Sequence, residues 1–154
     1  MTDFLELSVD KFTFRIAPDR AYDDQGLWLL QVPNGVRVGL SDYLQQRIGD
    51  VAFAEVTGAG SHIGADDEFA VLETIKVSLS VASPLEGTLV AVNDLLDAEP
   101  EAINDDPYGK GWLAEISPDS DAGAYGGADT VSPEQYLALV EAEARNEVEG
   151  GNEA

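Results

Sequence analysis

Residues 69–81 read Phe69-Ala70-Val71-Leu72-Glu73-Thr74-Ile75-Lys76-Val77-Ser78-Leu79-Ser80-Val81. The odd positions are apolar except at Glu73, and the even positions after Leu72 are Thr74, Lys76, Ser78 and Ser80. Alternation with period two is the mark of a half-buried strand. A strand averages about 5–6 residues, so a run of this length needs a bend near its middle, which Glu73 and Lys76 mark. The midpoint therefore carries a lysine between two apolar residues, with its side chain on the polar face.

That lysine is conspicuous because lysine is scarce. Lys11, Lys76 and Lys110 are the complete set. A primary amine held out from a β segment can be acylated by an enzyme, which removes its positive charge. The plainer reading is an edge-strand lysine that discourages pairing with other chains.

Working outward, Val36, Val38 and Leu40 alternate as a strand, and Pro33-Asn34-Gly35 before them is a turn signal. Asp42 with Gln45 can open a short helix that Gly49 ends. Residues 51–56 are a second strand, closed by the glycine-containing turn of residues 58–64. Downstream, Pro84 and Gly87 turn the chain into a strand over 88–92. Asn93 can cap a short helix through Leu95 and Leu96. The cluster Asn104-Asp105-Asp106-Pro107-Tyr108-Gly109 precedes a strand over 111–116. Residues 1–35 give no clear elements, only short apolar pieces such as Leu27-Trp28-Leu29-Leu30. Residues 119–131, rich in Asp, Gly and Ala, read as a flexible linker. Ser132-Pro133-Glu134-Gln135 starts a helix, with Tyr136, Leu139 and Val140 as its apolar stripe and an acidic tail to residue 154. The division expected is thus a domain over 1–118, a linker over 119–131, and a C-terminal helix and tail over 132–154.

Composition narrows the function. Thirty Asp and Glu against eight Lys and Arg give a formal net charge of −22. Such a surface repels nucleic-acid phosphate and anionic membranes, so neither is expected as a partner. Salt adaptation, as in a halophile, is a compatible reading of the charge. The chain has no cysteine, which excludes disulfides, thiolate metal sites and a cysteine nucleophile. The one histidine, His62, sits among glycines and reads as structural, and no metal-ligand spacing is present. The first ten residues carry Asp3, Glu6 and Asp10 and do not resemble an export signal, and no apolar run reaches membrane-span length. A cytoplasmic location is expected. No paired base and nucleophile is visible, so an enzyme is not expected.

Glu73-Thr74-Ile75-Lys76, followed by Ser83-Pro84 and Gly87, resembles the lipoyl-attachment hairpin of the glycine cleavage H-protein family. The resemblance continues through Val90-Ala91-Val92-Asn93, Pro100, Asn104, Asp106-Pro107-Tyr108-Gly109 and Gly111-Trp112. Upstream it takes in Gly39-Leu40-Ser41-Asp42-Tyr43 and the run from Gly49 to Val56, so that it covers roughly residues 36–118. Biotinyl domains, with methionines on both sides of the lysine, are less similar. So are the lipoyl domains of 2-oxoacid dehydrogenases, which usually place Asp before it.

The resemblance implies a mostly-β fold: a lipoyl/biotinyl-type β-sandwich (barrel-sandwich hybrid) with short helices, joined here by the C-terminal helix. It implies a non-catalytic carrier with lipoic acid attached covalently to Lys76. Glu73 is expected to help recognition by the lipoylating enzyme, a lipoate ligase or lipoyl transferase, and dihydrolipoyl dehydrogenase is a further expected partner. One position departs from the family. Trp28 lies fourteen residues before Asp42, as in the family's His-Glu-Trp, but Gly26-Leu27 stand where the His and Glu would be. If the family's Glu faces the cleft that holds the amine of an aminomethyl-loaded arm, Leu27 removes a charge-assisted hydrogen bond worth about 1.5–3 kcal/mol. On that ground, and in Gln45-Gln46-Arg47 and Ile75-Lys76-Val77, the chain resembles the lipoate-binding proteins of the heterodisulfide-reductase-like system of sulfur oxidation, and that complex is the expected partner. The alternative is the H protein of glycine cleavage with the glycine cleavage enzymes as partners. A second alternative is a structural or binding module with unmodified Lys76.

Overall fold

The computed structural model describes residues 3–151, with side chains described through 148. The tail expected over the last residues lies outside them from 152 onward. Eleven strands and four helices follow one another: β1 (Leu5–Val9), β2 (Phe12–Ile16), β3 (Ala21–Tyr22), β4 (Leu27–Val32), β5 (Gly35–Leu40), α1 (Asp42–Ile48), β6 (Val51–Val56), β7 (His62–Ile63), β8 (Glu68–Thr74), β9 (Ser78–Ala82), β10 (Gly87–Val92), α2 (Leu95–Ala98), α3 (Ala102–Asp105), β11 (Ala114–Pro118) and α4 (Pro133–Gly151). A six-stranded sheet runs β3-β4-β5-β11-β10-β7, a three-stranded sheet runs β6-β8-β9, and β1 and β2 form a separate hairpin. None of the helices is long and apolar enough to cross a membrane, among the described residues.

The two larger sheets face each other across the main core, in the expected sandwich. Leu27, Leu29, Val36, Val38 and Leu40 come from one side, and Ala54, Ala70, Leu72 and Val81 from the other. A second cluster lies on the opposite face of β4, where Trp28 and Tyr22 meet Val9, Phe14 and Ile16 of the first hairpin and Tyr136, Val140 and Ala144 of α4. Strand β4 is therefore covered on both faces. That accounts for its unbroken apolar run, which no alternation could resolve from sequence. Gly39 is required here: a Cβ on it would come 2.6 Å from Cζ2 of Trp28, whose indole Nε1 donates to the Pro107 carbonyl at 2.8 Å.

Several expectations shift by local chemistry. In α1 the cap is Ser41, whose Oγ accepts from the Leu44 amide at 3.2 Å, while Asp42 accepts from the Gln45 side chain. The α4 start matches its sequence signal: Ser132 Oγ accepts from the Gln135 amide and Gln135 Oε1 from the Ser132 amide. Its buried stripe is Tyr136, Val140 and Ala144, spaced by four, and Leu139 points outward, 51% exposed. The segment expected as a linker lies against the sandwich. Tyr125 and Ala128 pack on the main core, and Val131 exchanges both backbone hydrogen bonds with Tyr22. His62 sits in β7 with its Nε2 2.6 Å from Asp119 Oδ2, a pairing that raises its pKa.

Candidate functional site

The stretch 69–81 is a hairpin. Leu72 pairs with Leu79 and Glu73 with Ser78, so that even residues of one arm oppose odd residues of the other. The inward phase therefore inverts across the turn: Ala70 and Leu72 are buried on β8, and Val81 on β9, while Val71 is only half-buried. The continuous odd-numbered apolar face expected from sequence is corrected accordingly. An irregularity between Glu68 and Ala70 lets Phe69 and Ala70 both be buried.

Thr74 holds the tip. Its amide donates to the Val77 carbonyl at 2.9 Å. Its Oγ1 accepts from the amides of Lys76 at 3.1 Å and Val77 at 3.0 Å and donates to the Val77 carbonyl at 3.2 Å. One hydroxyl thus uses its proton and both lone pairs on the turn. Ile75 and Lys76 alone remain at the apex. Ile75 is 97% exposed, and Phe53 beside the hairpin is 50% exposed, so the lysine is flanked by apolar surface. Lys76 is exposed and enters no ion pair among the described residues. Glu73 lies on the outer face of β8, exposed and cross-strand from Phe53.

The tip end of the hairpin is tied to α1 through Asn104. Its Oδ1 accepts from the Val51 amide at 2.8 Å, and its Nδ2 donates to the Gly49 carbonyl at 2.9 Å and to Gln45 Oε1 at 3.0 Å. Val51 pairs in turn with Thr74. The methylenes of Lys76 run past Gly49, where an added Cβ would lie 3.7 Å from Cδ and Cε. At the other end of the hairpin, the Gln25 side chain exchanges two hydrogen bonds with the Ala82 backbone, at 2.9 and 3.0 Å. Gln25 is fixed by the buried Asp23, which also accepts from the Leu27 amide at 2.9 Å. Burial pushes the Asp23 carboxyl above the usual carboxylate range, against these hydrogen bonds, which pull it down. In the sequence Thr74 stands on a polar face and Asn104 in a turn cluster, and neither pattern marks them, or Asp23 and Gln25, as supports of the site. The signal for Asp23 was present, since Asp two residues before a polar residue commonly folds its side chain back onto the following amides.

Leu27 does not sit beside Lys76. It is fully buried in the main core, opposite Leu40, and lines no cleft near the hairpin tip. Packing accounts for its apolar side chain, so it says nothing about what an arm would carry. This corrects the expectation that position 27 faces the arm's resting place.

A cleft of about 490 Å³ opens next to the lysine, between the β1–β2 hairpin, α1 and α4, with Lys76 on its rim. Its volume lies in the range of small-molecule sites, ~300–1,000 Å³. An exposed amine at a rigid tip with such space beside it fits a covalently attached acyl arm.

The family model described as Glycine cleavage H-protein matches residues 20–144. The chain belongs to the glycine cleavage H-protein family. A probable glycine cleavage system H protein of Natronomonas pharaonis is 40% identical over 109 residues, which cover 71% of this chain and 86% of that protein. The glycine cleavage system H protein of Carboxydothermus hydrogenoformans is 33% identical, over 83% of this chain and 96% of its own length. Among solved structures, a glycine cleavage system H protein from Mycobacterium marinum superposes with a TM-score of 0.69 at 27% identity, covering 79% of this chain and 96% of that one. Proteins of this family are carriers with lipoic acid on a lysine, and the chain is a carrier, not an enzyme. These likenesses all point to glycine cleavage. The preference for sulfur oxidation is reversed, and with it the heterodisulfide-reductase-like complex as partner, because the family model and these relatives are H proteins of glycine cleavage.

Proposed function

We propose that Lys76 is the lipoylated lysine and that the chain serves glycine cleavage, carrying the aminomethyl group between the glycine cleavage enzymes. The observation that carries this reading is the position of Lys76, one of two residues at the apex of a hairpin whose other groups are all engaged. When bound, lipoic acid supplies a dithiolane that takes up and releases cargo and electrons. The chain's own residues do the rest. Thr74 fixes the backbone on which the amine stands, Asn104 ties the strand beside the tip to α1, and Ile75 and Phe53 offer apolar contact to a docking enzyme. Glu73, exposed on the outer face, is a recognition residue for the lipoate ligase or lipoyl transferase. Dihydrolipoyl dehydrogenase is the partner that reoxidises the arm.

Incubation with a lipoate ligase and lipoate should raise the intact mass by one lipoyl group, placed on Lys76 by peptide mapping. The loaded protein should then support glycine-dependent release of carbon dioxide by a purified glycine decarboxylase at a rate comparable to an H protein of established activity. A lipoyl group on Lys11 or Lys110 would overturn the site. Correct loading with no release of carbon dioxide would overturn the pathway.

The charge of −22 supports salt adaptation as part of the same reading. Self-repulsion destabilises a compact chain of one sign, and salt screens it over a Debye length of about 10 Å at 0.1 M and 3 Å at 1 M. The melting temperature should therefore rise from dilute buffer to molar potassium chloride. A flat or falling response would remove the salt-adaptation reading.

A further inference from the structure

Away from the lysine hairpin, three side chains of metal-ligating type meet on the wet face of the six-stranded sheet. A ring nitrogen of His62 and carboxylate oxygens of Glu86 and Asp119 lie within 4.8 Å of one another, and all three residues are exposed. The ladder puts them there. Thr88 of β10 pairs with His62 of β7, and Gly87 pairs with Ile63 on one side and with Pro118 of β11 on the other. Glu86 comes one residue before Gly87 and Asp119 one residue after Pro118, and the Asp119 amide donates to the Glu86 carbonyl at 3.0 Å. Strand alternation then turns His62, Glu86 and Asp119 to one side of the sheet, while Ile63, Leu89 and Ile116 point into the main core. No spacing along the chain marks the group, because His62 and Asp119 are 57 positions apart.

We propose that His62, Glu86 and Asp119 bind one divalent transition-metal ion of the zinc type. The proposal goes beyond the carrier function and stands whether or not Lys76 is lipoylated. A simple ion pair accounts for His62 Nε2 and Asp119 Oδ2, which are 2.6 Å apart, but not for Glu86. A second carboxylate beside that pair adds repulsion in a chain whose net charge is −22. The chain holds thirty Asp and Glu, yet among the described residues three such ligand groups converge only here. A divalent ion between a neutral imidazole and two carboxylates brings the charge of the site to zero.

The imidazole selects the class of ion. Magnesium and calcium take oxygen ligands, whereas imidazole joined with carboxylates suits zinc and its first-row neighbours. Tetrahedral bonds of ~2.0–2.1 Å set the ligand atoms about 3.3 Å apart, so the His62–Asp119 contact opens slightly and Glu86 closes in. The His62 and Asp119 side chains are 55% and 42% exposed, which gives them room to turn. Three protein ligands leave the fourth position to water. Bound there, the ion ties β7, a two-residue strand at the edge of the sheet, to the start of β10 and to the segment that leaves β11.

The test uses the full chain without an affinity tag, titrated with zinc chloride in a buffer that does not chelate. His62 is the only histidine, so its ring proton signals report the site directly. They should shift and saturate at one equivalent of zinc, and magnesium chloride at equal concentration should leave them in place. With zinc at a hundredfold excess over its Kd, the melting temperature should rise by about 5–10 °C. His62→Gln should remove the one-equivalent step seen by calorimetry. Glu86→Gln and Asp119→Asn, both at exposed positions, should each weaken it about tenfold or more, because affinity follows the count of charged ligands. Glu101→Gln, which removes an exposed carboxylate elsewhere, should change nothing. Ring signals that stay in place under a large excess of zinc would overturn the proposal. So would a shift that survives both Glu86→Gln and Asp119→Asn, since the imidazole would then be acting alone. Equal weakening by Glu101→Gln and Glu86→Gln would also overturn it, because the zinc would then be condensed loosely on an acidic surface.

Discussion

Replacing Lys76 with arginine is expected to abolish acylation completely while leaving the melting temperature within experimental error. The two halves of this result have separate causes. A guanidinium stays protonated and does not act as an acyl acceptor under conditions where a lysine amine does. Length and charge are nearly kept, so the electrostatics of the tip change little. The side chain makes no ion pair among the described residues, and the turn is held by Thr74 and the backbone. Exposed substitutions away from such features usually stay within about 0.5 kcal/mol. Intact mass after ligase treatment, with thermal unfolding by circular dichroism, checks both. Acyl mass on the variant would place the attachment at another lysine, and a large drop in melting temperature would give Lys76 a structural role that its surroundings do not suggest.

Leu27→Glu is expected to produce the opposite pattern, a large loss of stability. Leu27 is fully buried between the sheets, paired with Leu40 and surrounded by aliphatic side chains. A carboxylate there finds no cation in the main core. Leaving a charge buried and unpaired costs about 3–5 kcal/mol, and the lost leucine packing adds to it. At ~2–4 °C per kcal/mol for a chain of this size, the melting temperature should fall by on the order of 10 °C. Leu27→Met, which conserves volume and polarity, should cost less than about 1.5 kcal/mol. A Leu27→Glu protein that melts like the wild type and releases carbon dioxide from glycine faster would show that position 27 does open to the arm.

The readable parts of the chain were those where one face is wet. Val36, Val38 and Leu40 alternate because they share the side of β5 that faces the main core, with Arg37 half-buried on the other, and α4 announces itself through Ser132 and Gln135. The lysine hairpin was legible as an element and as a site, but not in its phase, because a turn reverses inside and outside without leaving a mark in composition. Residues 1–35 were unreadable for a different reason. Leu27 to Leu30 face two cores at once, and the short strands β1 and β2 gain their burial from α4, more than a hundred residues away. Tyr125 and Val131 likewise anchor a segment whose glycine and aspartate content suggests a linker. The supporting contacts of the site, Asn104 to Val51 and Gln25 to Ala82, join residues more than fifty positions apart. No local pattern encodes such pairs.

The two-residue apex at Ile75 and Lys76 also restricts how this chain can change length over evolutionary time. Inserting or deleting a single residue there would turn one arm of the hairpin over, exchanging Leu72 or Leu79 for a polar neighbour on the side that meets the core. Paired insertions would preserve the faces but carry the amine away from Gly49 and the end of α1. Point substitutions at position 75 face no such barrier, since its side chain is almost entirely in solvent. Drift at this tip should therefore run through residue identity and not through length, and an alternative attachment point could arise by a lysine appearing next door more readily than by the loop growing.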